Sequence, residues 1–236
     1  TVKPTHDVLG TLFSQYVRGG QVDYVDWHKN ERDRAALVTY VKHAATYCLD
    51  ELKQLQKPAQ LALFLNLYNA AVIDLVLKNL PLQSIQDIRA ASIAAFDMAW
   101  IDTGWVKENK LSLNHLENKL IRPWFKDARI HFALVCAAKS CPGLLAEPYL
   151  PAKVFKQLEE QTRLFFNDAR QVFFSRQEKV LFVSKIFTWY KADFVADAGS
   201  LKAYLEREYE KATGTKIAIN SSISFRDYSW DLNQSP

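Results

Sequence analysis

The chain has 236 residues, 49% of them hydrophobic and 24% charged, with a formal charge of +4. That length suits one well-packed core, and the evenly spread apolar residues exclude a disordered chain. Acids and bases interleave without a dense basic stripe, which argues against nucleic acid as a partner, and three cysteines are too few for a disulfide scaffold.

The first third is predicted to be helical. Over residues 7–17, Val8, Leu9, Leu12, Phe13, Tyr16 and Val17 recur at i, i+3/i+4 spacing, an amphipathic face. Gly19 and Gly20 end that helix, and residues 22–27 are expected as a short extended or turn segment. Further helices are expected over 32–47 and 50–54. Pro58 suits the first turn of a helix over 59–79, which Pro81 stops. Its opening turns are apolar nearly all round, as in a central buried helix. Ser84 suits the cap of a short helix to Arg89, and residues 100–102 and 105–106 suggest a hairpin around Thr103 and Gly104. A short helix is expected over 114–121, ended by Pro123. Residues 130–135 read as a buried strand. Pro151 opens an amphipathic helix to 167. Residues 172–174 and 180–183 form two strands across a polar turn at Gln177 and Glu178, and Ser200 caps a last helix to 212. This order predicts an α+β fold, with a helical N-terminal prefix and an antiparallel sheet packed by helices.

The segment with the most chemistry is RIHFALVCAAKSCPGL, residues 129–144. A thiolate nucleophile needs a base and an electropositive turn. His131 supplies the first, and Lys139 with the backbone amides after Pro142 supplies the second. In a regular strand His131 and Cys136 point to opposite faces and lie roughly 16 Å apart. Cys141, beyond the turn, is therefore the candidate nucleophile, with Cys136 as the alternative or as a packed strand-end residue. Alternatively the two pair as a disulfide in an oxidising compartment, and the structural alternative for His131 is a hydrogen-bonded core residue.

Other candidates flank this segment. Asn66 and Asn69 share one face of the central helix, where their amides either fix a neighbouring loop or orient a catalytic group. Tyr68 between them is expected in the core with a tethered hydroxyl. Glu117 follows Asn114 by three residues, the spacing of a capping box. Arg122 pairs either with a substrate carboxylate or with Asp127 or another local acid. Lys185, Trp189, Tyr190 and Asp193 follow the second late strand and either wall a cleft or pack in the core.

Four stretches carry a resemblance: LALFLNLYNA at 61–70, LSLNHLENKLIRP at 111–123, the segment from His131 to Cys141, and SKIFTWYKADF at 184–194, with YSWDLN at 228–233 closing the chain. Together they resemble the DUF547 family, a domain of unknown function. The resemblance implies a single domain over 1–236, with 1–57 a helical prefix packed on the core. It also implies a likeness to papain-like or transglutaminase-like thiol hydrolases. The order acid, histidine, cysteine differs from that of papain, so the fold would be a permuted papain-like one. The family's similar segment centres on Glu117, which implies a role in orienting His131.

The expected function is a thiol-dependent amide or peptide hydrolase, or acyl transferase, with Cys141 as nucleophile, His131 as base and Glu117 as orienting acid. Asn66, Asn69, Arg122, Lys139, Lys185 and Trp189 would bind or orient a peptide or small amide substrate, with no cofactor and no metal. The alternative is a non-catalytic peptide- or ligand-binding domain in which the cysteines are structural. No apolar run is expected to span a membrane. No signal peptide is recognised, and Thr1 stands without a methionine, so a processed precursor and a trimmed chain are both open. The resemblance tilts the compartment toward periplasmic or secreted. The oligomeric state is not legible.

Overall fold

The computed structural model describes residues 5–106 and 109–235. At its centre lies one 23-residue helix, Lys57–Asn79. Pro58 sits in its first turn, where a missing N–H costs nothing. Every residue from Gln60 to Leu77 along it is buried, including Leu61, Phe64, Leu65 and Val72. By length and composition this helix is apolar enough to cross a membrane, but its apolar window is entirely enclosed by the rest of the protein. Each large side chain so buried stabilises the fold by about 1.5–3 kcal/mol.

Helices Glu31–Ala44, Tyr24–Lys29 and Val154–Asn167 pack around the central one. Leu9, Leu12, Phe13 and Tyr16 of helix Asp7–Tyr16 join the same core. A second core is built mainly of aromatics, with Phe132, Phe165, Phe166, Phe187, Phe194 and Tyr204 in mutual ring contact. It sits under helix Leu201–Thr213 and a three-stranded sheet. Val172–Ser175 and Val180–Val183 pair antiparallel, with Val172 opposite Val183, and Ser222–Phe225 adds a parallel third strand. The α+β class holds, although the sheet is mixed rather than wholly antiparallel.

Several local expectations are corrected. Residues 130–135 are not a strand: a 3-10 helix, Ala128–Phe132, occupies the start of that run. Asp127 accepts the Arg129 N–H at 3.0 Å and nucleates the turn, and its interior position suits an apolar run as well as a strand would. Tyr24–Lys29 is helical, because Asp23 caps it. The hairpin strand Ile101–Asp102 pairs with Lys110–Leu111, not with residues 105–106. Pro123 does not end its helix. The chain passes through a π-helical turn, Leu116–Ile121, and Pro123 lies at the start of the next helical segment, Arg122–Phe125, where its missing donor is tolerated.

Candidate functional site

The site lies between the two cores. His131 sits on the 3-10 turn, held by Phe132 on the aromatic core and Ile130 on the central one. Its ring stacks on Tyr190 with centroids 3.8 Å apart and planes 18° apart. The imidazole Nε2 lies 2.8 Å from Asp193 Oδ2. Arg122 grips the same carboxylate, Nε to Oδ2 at 2.8 Å and Nη2 to Oδ1 at 3.1 Å. The His131 hydrogen bond first, and Arg122 after it, hold the Asp193 carboxyl well below the usual carboxylate range against the upward push of burial. An ionised carboxylate only accepts, so His131 Nε2 carries the hydrogen it shares. In the neutral ring Nδ1 is then the lone-pair nitrogen, and it is buried with no partner among the described residues.

The chain downstream of His131 is pinned by the central helix. Asn69 donates to the Ala133 carbonyl and accepts the Val135 N–H, both at 2.9 Å. Asn66 does the same for Tyr149, at 2.8 Å in each direction. Both amides thus fix loops, and both of their ends are engaged. Gly20 meets the cysteine turn from the prefix: its φ is +82° and an added Cβ would lie 2.7 Å from the Gly143 Cα. Only glycine fits there.

Cys136 and Cys141 are joined in a disulfide across this turn, with Cα atoms 6.2 Å apart. The expectation that a strand would separate His131 from Cys136 fails, because a turn and a folded-back loop replace the strand. His131, Cys136, Cys141 and Glu117 all line one cavity of about 220 Å³. The Cys136 N–H donates to Cys141 Sγ at 2.9 Å.

The C-terminal segment closes the site. It is stitched to the cysteine turn by Lys139 N–H to Asp231 O at 2.8 Å, Asn233 N–H to Ala137 O at 3.0 Å and Ser229 N–H to Ser140 Oγ at 2.9 Å. This places the Tyr228 hydroxyl 3.1 Å from Cys136 Sγ and 3.2 Å from Cys141 Sγ. Trp189 and Trp230, whose rings stack at 5.8 Å, form an aromatic rim, and Trp189 is exposed.

Glu117 is buried on the π-helical turn, but the acid bonded to the imidazole is Asp193. Tyr68 donates to Glu117 Oε2 at 3.3 Å, and burial, then the charge and hydrogen bond of Glu117, push the Tyr190 phenol up. Arg122 takes Asp193 as its acid, since Asp127 is engaged by Arg129. Lys139 lies 3.4 Å from Asp231 and Lys185 3.9 Å from Asp227, both on the surface and outside the cavity lining. Sequence reasoning grouped Asp193 and Tyr190 with a cleft wall but did not link them to His131. It gave Tyr228 no role. The one available signal was their place in the resembling stretches.

Residues 52–166 match the family model described as "Protein of unknown function, DUF547". The matched stretch covers a little under half of the chain. That region holds Tyr68, Glu117, Arg122, His131, Cys136 and Cys141, whereas Asp193, Trp189 and Tyr228 reach the same site from beyond the matched stretch. No curated protein and no solved structure matches the chain, so the likeness to papain-like or transglutaminase-like hydrolases gains no support from either comparison.

Proposed function

We propose that the cavity beside the DUF547 cysteines is the active centre of a thiol-dependent amide or peptide hydrolase, or acyl transferase. Cys141 is the nucleophile, His131 the base and Asp193, in place of Glu117, the acid that holds the imidazole. The reading rests on one observation above all: among the described residues His131 Nδ1 is buried without a partner, while Nε2 is fixed by an ionised carboxylate. This is the tautomer a general base requires. Glu117 instead keeps Tyr68 and Tyr190 in place, and Tyr190 carries the imidazole on its face.

The working form is the reduced one. A dithiol reductant supplies two electrons and two protons, opens the Cys136–Cys141 bond and is itself oxidised to a disulfide. Nδ1 then takes the Cys141 proton and the thiolate attacks the substrate carbonyl carbon. The imidazolium returns its proton to the departing amine as the C–N bond breaks. Water, or an acceptor amine in acyl transfer, attacks the thioester and restores the thiol. No cofactor is needed. The aromatic rim of Trp189 and Trp230 suits an apolar or planar group on a peptide or small amide. Nucleic acid is not a proposed partner, given the interleaved charge.

The second reading is a non-catalytic domain that binds a peptide or small ligand. It is favoured by the disulfide, which ties up both sulfurs. The disulfide also supports a periplasmic or secreted location, since such bonds persist in oxidising compartments. A mixture of fluorogenic peptide amides and p-nitrophenyl esters, offered to oxidised and dithiol-reduced protein, separates the two. The enzyme reading expects turnover only after reduction, abolished by Cys141→Ser. Binding without turnover in both redox states favours the binder.

A further inference from the structure

The two sulfurs share one hydroxyl. In the disulfide neither sulfur carries a hydrogen, so the Tyr228 hydroxyl is the donor, its single hydrogen shared between the two sulfurs at 3.1 Å and 3.2 Å. Cys141 Sγ accepts a second hydrogen bond, from the Cys136 N–H at 2.9 Å. Two donors thus converge on the sulfur that the proposed mechanism makes an anion. They arrive on different pieces of chain, one on the cysteine turn and one on the C-terminal segment, and backbone hydrogen bonds lock those pieces together.

We propose that the Tyr228 hydroxyl and the Cys136 N–H form a two-pronged anion cradle for the Cys141 thiolate, and that the C-terminal segment exists at the site to deliver Tyr228. The inference rests on the reading of Cys141 as nucleophile and adds to it a catalytic group that touches the reacting atom. Hydrogen bonds to the charged form favour it. The phenol is suited to donate, since burial keeps its proton in place far above neutrality. Trp189 packs against the Tyr228 ring at 4.7 Å and Trp230 at 4.8 Å, which leaves the ring little freedom to turn away.

Other ionisable groups bear on the same sulfur. His131, Glu117, Tyr68 and Tyr190 line the same cavity as Cys141. On the other side of the turn, Lys139, Asp168 and Arg170 line a larger groove of about 730 Å³ that Cys141 also borders. Lys139 is paired with Asp231 and Arg170 with Asp168, so most of their charge is balanced locally. The two hydrogen bonds act on the sulfur at contact range, which these charges do not.

The test reads the thiol directly and needs no substrate. Reduced protein carrying Cys48→Ser is alkylated with limiting iodoacetamide from about pH 5 to about pH 10, and the label at Cys141 is mapped by mass spectrometry. Tyr228→Phe is expected to raise the midpoint by about one pH unit, leaving about tenfold less thiolate near neutrality. Leu232→Ala loosens the segment that delivers the hydroxyl but keeps the hydroxyl itself, and is expected to raise the midpoint by less than Tyr228→Phe does. Fluorotyrosine introduced at 228 keeps the fold and sharpens the donor, so it should lower the midpoint even if Tyr228→Phe fails to fold. An unmoved midpoint in Tyr228→Phe, or a larger shift in Leu232→Ala than in Tyr228→Phe, overturns the cradle. Shifted midpoints in a protein that hydrolyses nothing support the cradle and count against the hydrolase. Unmoved midpoints in an active hydrolase do the reverse.

Discussion

His131 and Asp193 are 62 residues apart in the chain, and their side chains meet at 2.8 Å. That contact fixes which imidazole nitrogen holds the hydrogen, and it leaves Nδ1 buried without a hydrogen-bond partner among the described residues. Asp193→Asn keeps the shape and removes the charge. Its amide offers Nε2 either an acceptor or a donor, so the tautomer is no longer specified, and Arg122 loses its partner. Amide hydrolysis by the reduced protein should fall by about 10²–10⁴-fold. Nitrogen NMR of the imidazole checks the cause independently, because a sole Nε2–H signal in the native protein should give way to a mixture.

The same carboxylate governs acid stability. Its pKa is depressed in the folded protein by His131 first and Arg122 next. The stabilisation is therefore present above the unfolded-state value of about 3.9 and is lost as pH falls below it. Wild-type thermal stability should decline below about pH 4 more steeply than that of Asp193→Asn. Parallel acid limbs for the two proteins would mean that the ion pair contributes nothing to folding.

Asn69→Ala tests the support beneath the site. It removes both partners of a buried carbonyl and a buried N–H in the loop that leads to Cys136. The expected cost is about 2–5 kcal/mol in denaturant melts, from two unsatisfied backbone groups. Asn69→Asp keeps the acceptor for Val135 and should cost less. A loss under about 1 kcal/mol for the alanine variant would show that water takes over both bonds.

Glu117→Gln separates the two acids. Its buried carboxylate accepts from Tyr68 and lies beside Tyr190, not on the imidazole. The amide keeps an acceptor, so stability should fall by about 1 kcal/mol, and hydrolysis should fall less than in Asp193→Asn. A rate loss equal to that of Asp193→Asn, with no further loss in the double variant, would restore Glu117 as a member of the catalytic unit.

These contacts mark how far the sequence could be read. Helix Lys57–Asn79 was legible because its apolar residues cover every face, and periodicity reports burial directly. The late strands were legible from their alternation. The run from Ile130 to Val135 was not, since a short apolar stretch suits a buried turn as well as a strand. That error carried the geometry with it: the face argument separating His131 from Cys136 holds only for an extended chain. His131, Cys141 and Glu117 could be picked out as residue types able to do chemistry and placed near one another by the resemblance. The partner of His131 could not, because Asp193 reaches it through tertiary packing of the helix that starts at Lys191. Tyr228 was hidden for the same reason, its segment being bonded to the cysteine turn from the far end of the chain.

In the proposed mechanism His131 activates Cys141. Its most direct test is the pH dependence of iodoacetamide labelling at Cys141 in the reduced protein, with and without His131→Ala. Preferential labelling of Cys141 over Cys136 and Cys48 is expected, with a midpoint well below the usual thiol value of about 8.5 that rises toward it in His131→Ala. Preferential labelling of Cys136, or a Cys141 midpoint near 8.5 that ignores the loss of the imidazole, would contradict it.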